Sequence, residues 1–306
     1  MRILVTGGAG FIGSHLVDKL IEKKHKVSVI DDLSTGYKKF VNPQAKFYKV
    51  KVESLKVKKI FTVEKPEAVY HLAAQKSVNF SLKNPLADAQ SNIIGSLNIF
   101  ECCRLFKVKK IIFISTGGAI YGEAKVIPTA EKEQEQPTSP YAISKLTADI
   151  YLKNFYQLLY KLPFISLRLS NVYGPRQDPY GEAGVIAIFV NRLLKKQICY
   201  INGSGNQTRD FIYVDDVVEA CLKSLNKGYG IYNIGSAKET SVNKLYSLIA
   251  GQILQKKPLY KPAIKGEIYR SALKPLKAKK GLNWQAKTNL TEGIKKTINY
   301  FQKDNV

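Results

Sequence analysis

Arginine is scarce in this chain, supplying only seven of its 48 basic residues and leaving 41 to lysine. Histidine, tryptophan and methionine are rarer still, at three, one and one, and there are four cysteines. The net charge is +24, but the arginine shortage argues against nucleic acid as the primary ligand, because planar guanidinium forks are what read base edges and clasp phosphates. The lysines are scattered in pairs such as Lys109-Lys110, Lys195-Lys196 and Lys295-Lys296. That pattern describes a solvated basic surface, one that attracts a dianionic small molecule. Cys102, Cys103, Cys199 and Cys221 contain no Cys-x-x-Cys, and His15, His25 and His71 share no ligand spacing with them, so no metal site is expected. No apolar run approaches the roughly 20 residues of a membrane span. Met1 leads straight into Ile3, Leu4 and Val5 with no basic and apolar leader, so a cytoplasmic protein without a membrane partner is expected. Linkers, low-complexity tracts and internal repeats are also missing.

What is present begins at the first residues. Residues 2–13, RILVTGGAGFIG, read as a short buried strand running into a glycine-rich turn, followed by an amphipathic helix from Ser14 to about Lys24. Gly8, Gly10 and Gly13 satisfy G-x-G-x-x-G, and Gly7, Gly10 and Gly13 the wider G-x-x-G-x-x-G. Glycines suit this place because the turn is tight, a pyrophosphate must approach the backbone, and the helix must pack close to the strand. The helix N-terminus then receives the phosphates. A second strand, from Val27, ends in Asp31 and Asp32 about 20 positions after the glycines, where a carboxylate accepts ribose hydroxyls and repels a 2′-phosphate. The spacing therefore predicts NAD rather than NADP.

Apolar runs at about 45–50, 68–74, 111–115 and 164–169 alternate with helical patterns, notably around 86–106 and 141–160. Such alternation predicts an α/β fold with a doubly wound parallel sheet of Rossmann type, whose ligands lie beyond the carboxyl ends of the strands. Those ends carry Gly7–Gly13, Asp31, Ala73 and Ala74, Ser115 and Thr116, and Ser170 and Asn171. After about residue 172 the texture becomes turn-rich, and from Arg168 onward come Arg176, Arg192, Arg209 and Arg270, in a stretch otherwise served by lysine. Residues 1–172 are expected to form the cofactor domain and 173–306 a smaller C-terminal substrate-binding domain, with part of 208–236 returning to the first. Ser139 and Pro140 predict a helix start, which places Tyr141 and Lys145 one turn apart on one face. An ammonium near the phenol, in the first turn of a helix, favours the ionised tyrosine and makes it a usable base.

The ordered set Thr6–Gly13, His71–Gln75, Ser115–Gly122, Tyr141-x-x-x-Lys145 and Gln207–Asp216 resembles the extended short-chain dehydrogenase/reductases over nearly the whole chain, and within them the UDP-glucose (UDP-galactose) 4-epimerases. This resemblance implies NAD-dependent epimerisation of a UDP-hexose through a 4-keto intermediate, with Tyr141, Lys145 and Thr116 catalytic. It implies that Phe11, Ile12, Asp31, Ala73, Ala74, Lys76 and Asn92 line the dinucleotide, and that Asn171, Val185, Phe189, Arg209 and Glu267 contact the nucleotide sugar. A homodimer built through the helices near 92–106 and 141–160 is implied as well. Related dehydratases place an acid after the Ser/Thr of the fifth strand, whereas here Thr116 precedes Gly117 and Gly118. Two departures stand out. The stretch 50–53, VKVE, lacks the Asp that holds adenine elsewhere, leaving backbone near Val52 for that task. Before Glu267 the usual Arg is missing, with Lys265 or Arg270 as substitutes. Ser271 falls where hexose-restricted members carry Tyr, which implies room for N-acetylhexosamines. A lyase on the same scaffold, either dehydratase or decarboxylase, and a non-catalytic NAD-binding module are the alternative readings.

Overall fold

The computed structural model describes residues 1–180, 184–264 and 266–304. In chain order the strands are β1 (Arg2–Thr6), β2 (Lys26–Asp31), β3 (Lys46–Lys49), β4 (Ala68–His71), β5 (Lys110–Thr116) and β6 (Phe164–Leu169). They continue as β7 (Asn171–Tyr173), β8 (Tyr200–Asn202), β9 (Thr208–Tyr213), β10 (Gly230–Ile234), β11 (Glu239–Ser241) and β12 (Leu259–Lys261). Seven of them form one sheet in the order β10-β6-β5-β4-β1-β2-β3, with every neighbouring pair parallel. The winding reverses between β1 and β4, so a crevice opens there at the carboxyl edge.

Side-chain alternation along these strands supplies two cores. On one face Ile3, Val5, Tyr70, Ile112 and Leu167 pack with Leu16 and Val17 of the helix Phe11–Glu22 and with Val217 and Cys221 of the helix Val214–Asn226. On the other, Leu4, Val69, Ile111 and Phe113 pack with Ile60, Phe100 and Leu152. Burying one such side chain contributes about 1.5–3 kcal/mol. Because both faces are covered, the central strands read in sequence as continuous apolar runs.

The later half adds two small sheets, β11-β9-β7 and β12-β8. Strand β9 lies in the first of these, while β10 pairs with β6 at the edge of the main sheet, Gly230 opposite Ile165. Trp284 is buried and its Nε1 donates to the Asp216 carbonyl at 2.8 Å, fastening the approach to the last helix, Leu290–Asp304. No helix among the described residues is long and apolar enough to cross a membrane.

Two long helical segments flank the site, and each is interrupted by a π-helical turn. The first runs Pro85–Ala89, Gln90–Ile94 and Gly95–Leu105; the second runs Pro140–Ile150, Tyr151–Gln157 and Leu158–Tyr160. The second begins as its residues dictate, with Ser139 Oγ accepting the Ala142 N–H at 3.3 Å and Pro140 in the first turn. Its Asp149 carboxylate, buried at 1 % exposure, accepts from Ser115 Oγ of β5 (3.1 Å), Ser166 Oγ of β6 (2.5 Å) and Arg168 Nε of β6 (2.9 Å). Arg168 also reaches Glu135 Oε1 and the Tyr121 hydroxyl, each at 3.0 Å.

Removing the guanidinium would strand two carboxylates, one of them wholly buried. Arg168→Leu should lower the unfolding free energy by about 3–5 kcal/mol in urea titrations. Arg168→Lys should recover only part of that loss, since one ammonium cannot reproduce the forked contact.

Candidate active site

A cavity of about 1260 Å³ lies over the carboxyl ends of β1, β2, β4, β5 and β6. Its floor at β1 is the glycine turn. Gly7 has φ +73°, and a Cβ placed on it would stand 2.7 Å from the Ala73 nitrogen. A Cβ on Gly13 would stand 2.1 Å from the Gly7 carbonyl oxygen, so the helix packs against the turn only because position 13 has no side chain. The first turn of helix closes with Ser14 N–H donating to Gly10 O at 3.0 Å. The amides of Phe11, Ile12 and Gly13 precede that bond and have no backbone acceptor among the described residues, which leaves them for an anion.

The rim follows from β2 and β4. Asp31 and Asp32 line the cavity. Asp31 Oδ2 accepts the Ala9 N–H at 3.0 Å and Oδ1 the Leu33 N–H at 2.9 Å. Burial pushes its carboxyl above the ordinary range while those two bonds pull it back. Each oxygen keeps lone-pair capacity for a ribose hydroxyl. Val52 lines the far end, with its carbonyl already accepting Asn98 Nδ2 at 2.7 Å. Ala73, Ala74 and Lys76 form the loop after β4. Asn92, expected on the cavity wall, stands behind that loop instead: it is buried, its Oδ1 accepts Gln75 N–H and its Nδ2 donates to Gln75 O, both at 2.9 Å. Its amide shapes the loop's backbone.

Tyr141, Lys145 and Thr116 meet on the opposite wall. Desolvation pushes the Tyr141 phenol up to about 12, opposed by the Thr116 hydroxyl beside it and reinforced by the Asp88 charge. The same desolvation brings Lys145 down to about 8, against the pull of Asp149 and Asp88. The ammonium lies 4.0 Å above the Phe113 ring. In this arrangement burial is the largest influence on the phenol, and Thr116 supplies the contact that opposes it.

On the substrate side Asn171, Val185, Arg209 and Glu267 line the cavity, with Arg209 Nη2 paired to Glu267 Oε1 at 2.8 Å. Phe189 and Ser271 do not reach the wall. Phe189 is buried edge-on against Tyr246 at 5.2 Å, and Ser271 is 9 % exposed beyond the lining segment Glu267–Ile268. Arg270 turns away to Glu239 at 2.6 Å, and Lys265 lies outside the described residues. Of the five later arginines only Arg209 lines the cavity: Arg168 serves Asp149, Arg176 pairs with Asp18 at 2.8 Å, and Arg192 donates to Ile198 O at 2.6 Å. Sequence reasoning passes over Gln177 and the side chain of Ser170. Both line the cavity and are 8 % exposed, and Gln177 Oε1 and Ser170 Oγ have no hydrogen-bond partner among the described residues. Unpartnered buried acceptors on a cavity wall fit a polar ligand that completes them. Among the described residues no cluster of His, Cys, Asp and Glu could hold a metal ion.

The model of the NAD dependent epimerase/dehydratase family matches residues 3–235. The chain belongs to this family. Among solved structures, the UDP-glucose 4-epimerase of Thermotoga maritima, determined with UDP-glucose, is 50 % identical with a TM-score of 0.98 and full coverage of both chains. The UDP-glucose 4-epimerase of Thermus thermophilus, determined as a complex with NAD, is 40 % identical with a TM-score of 0.94, covering 99 % of each chain. Among curated proteins, the UDP-glucose 4-epimerase of Mycolicibacterium smegmatis is 40 % identical over 310 residues, 99 % of each.

Beneath this family's cavity, His71 is wholly buried, with Nδ1 2.7 Å from Thr6 Oγ1 and Nε2 3.0 Å from Ser96 Oγ. Desolvation lowers it from 6.5 to about 3. A histidine depressed on folding stabilises the native state above its unfolded value and loses that contribution as pH falls towards the folded one. The unfolding free energy should therefore carry a slope of up to about 1.4 kcal/mol per pH unit between pH 6.5 and 5. That share should be missing from His71→Gln protein in the same denaturant series.

Proposed function

We propose that this protein interconverts UDP-glucose and UDP-galactose by NAD-dependent 4-epimerisation, an isomerase activity that regenerates NAD in every turnover. The observation that carries the reading is the presence of Tyr141, Lys145 and Thr116 around the same cavity as a glycine phosphate cradle and Arg209, in a chain whose full-length relatives at 40–50 % identity include UDP-glucose 4-epimerases, while the dTDP-glucose 4,6-dehydratases among its relatives stand at about 35 %. Bound NAD supplies a reversible acceptor for the hydrogen on sugar C4, so no second oxidant is needed. Gly7, Gly10, Gly13 and the Phe11 and Ile12 amides would hold the pyrophosphate, Asp31 and Asp32 the adenosine ribose, and Val52 the adenine. Ala73, Ala74 and Lys76 would cover the middle of the cofactor, with Asn92 acting through their backbone.

Tyr141 takes the proton of the 4-hydroxyl and returns it after the 4-keto sugar has presented its other face. Thr116 orients that hydroxyl, and the Lys145 ammonium together with a positive nicotinamide brings the phenol down from its resting value. Asn171, Val185 and Arg209 would hold the nucleotide sugar, with Arg209 exchanging Glu267 for the diphosphate. Phe189 and Ser271 support this wall from behind it. Residues 1–172 would serve the cofactor and 173–306 the sugar nucleotide. Gly117 and Gly118 after Thr116 leave no acid for elimination, which favours an isomerase over a lyase. Ile94, Leu105, Ile143, Ile150, Phe155 and Leu159 expose an apolar surface on the two long helical segments, and a second copy of the chain is the occupant that suits it. The chain's composition fits a cytoplasmic enzyme.

Purified protein should equilibrate UDP-galactose with UDP-glucose without an added oxidant, read by chromatography of the nucleotide sugars. Formation of a 4-keto-6-deoxy sugar or a pentose instead would replace this reading with the lyase. Tyr141→Phe should lower kcat by about 10²–10⁴-fold. Arg209→Ala should act mainly on KM, raising it by about 10- to 100-fold. Comparing UDP-glucose with UDP-N-acetylglucosamine as substrates tests the breadth implied by Ser271.

A further inference from the structure

Asp88 is fully buried in the short helix Pro85–Ala89, yet no cation stands within ion-pair distance of it among the described residues. Its carboxylate takes three neutral donors: Ser144 Oγ at 2.6 Å on Oδ2, then Gln75 Nε2 at 2.7 Å and Asn92 Nδ2 at 3.0 Å on Oδ1. A neutral asparagine amide could meet the same partners. Its oxygen would accept from Gln75 and Asn92, and its nitrogen would donate to the serine hydroxyl, which is also an acceptor. Burying a full charge costs far more than burying an amide. The hydrogen bonds alone therefore do not account for an acid here.

Lys145 is the next residue after Ser144. The titratable groups facing it are Tyr141 and Asp149 from its own helix, Asp88 from the neighbouring one and the neutral His71 from β4, with the Phe113 ring of β5 beneath the ammonium. Asp149 has a counter-charge of its own in Arg168, at 2.9 Å. Asp88 has none among the described residues.

We propose that Asp88 is a positioning residue for the proton-transfer pair, a fixed buried negative charge that keeps Lys145 an ammonium inside the cavity. The proposal rests on reading Tyr141 and Lys145 as that pair. Burial works in the opposite direction, having already brought Lys145 down to about 8, and the Asp88 field is one of two that oppose it. The carboxylate also ties the loop after β4, through Gln75, to the tyrosine helix, through Ser144. One side chain thus joins the cofactor side of the cavity to the proton-transfer side.

The test reads the lysine directly, in the protein as purified. Protein labelled with ε-¹³C-lysine is titrated by NMR, and the Lys145 signal is identified by its loss in Lys145→Met. In wild type that signal should titrate near pH 8. In Asp88→Asn and Asp88→Thr, each checked for native circular dichroism, the midpoint should move down by roughly one unit. Ser144→Ala, which deletes a hydrogen bond to Asp88 without deleting charge, should leave it in place. An unmoved midpoint in either folded Asp88 variant overturns the proposal, as does a Ser144→Ala shift equal to theirs. Because the signal does not depend on turnover, absence of epimerase activity in the wild type would overturn the functional reading separately.

Discussion

The site depends on one buried carboxylate, that of Asp149, which holds three elements in register. By accepting from Ser115, Ser166 and Arg168, it sets the tyrosine helix against β5 and β6 at one depth and one rotation. Tyr141, Lys145 and Asp149 are four residues apart in turn, so the rotation that buries the acid also carries the other two to the sheet's carboxyl edge. A charge in that place would be ruinous alone, and the guanidinium that neutralises it comes from the strand being joined. Placement and neutralisation are the same contact.

The remaining parts converge because a parallel sheet gathers the ends of distant segments. The glycine turn, the two aspartates, the loop after β4 and Thr116 come from segments spread over more than a third of the chain, and they become neighbours only because β1, β2, β4 and β5 point the same way. The later half contributes Asn171, Val185, Arg209 and Glu267 from short elements outside the main sheet. Its hold on the cavity is polar rather than topological, through the Arg209–Glu267 pair and the strap of backbone around Tyr269, whose carbonyl accepts the Thr208 N–H at 2.9 Å.

Much of this is legible in the chain, and what is not has physical reasons. Strands buried on both faces advertise themselves as apolar runs, and the expected runs near 111–115 and 164–169 correspond to β5 (Lys110–Thr116) and β6 (Phe164–Leu169). Three-residue strands such as β8 and β12 carry no period long enough to read, and they exist only through their pairing. Asn92, Phe189 and Ser271 fall at positions that a resemblance can align, but whether a side chain faces the cavity or the layer behind it depends on rotations of a fraction of a turn. Gln177 is the converse case, a lining residue just past Gly174-Pro175 whose value lies in an unpartnered oxygen, which no pattern of residue types encodes. The balance between Lys145 and Tyr141 escapes the sequence for a related reason: spacing reports proximity along a helix, while desolvation is a property of the whole surrounding layer.

The π-helical turn at Gln90–Ile94 has a consequence for phase. Along a regular α-helix, residues four apart drift by about 40° per step, so a column of them winds off its face. Asp88, Asn92, Ser96 and Phe100 are all buried, and the wider turn centred on Asn92, between Asp88 and Ser96, takes up the drift. The segment thus behaves as two helices with an angular offset. Its first part bonds to Gln75 and Ser144 through Asp88 and Asn92, and its later part packs Phe100 into the core against the sheet.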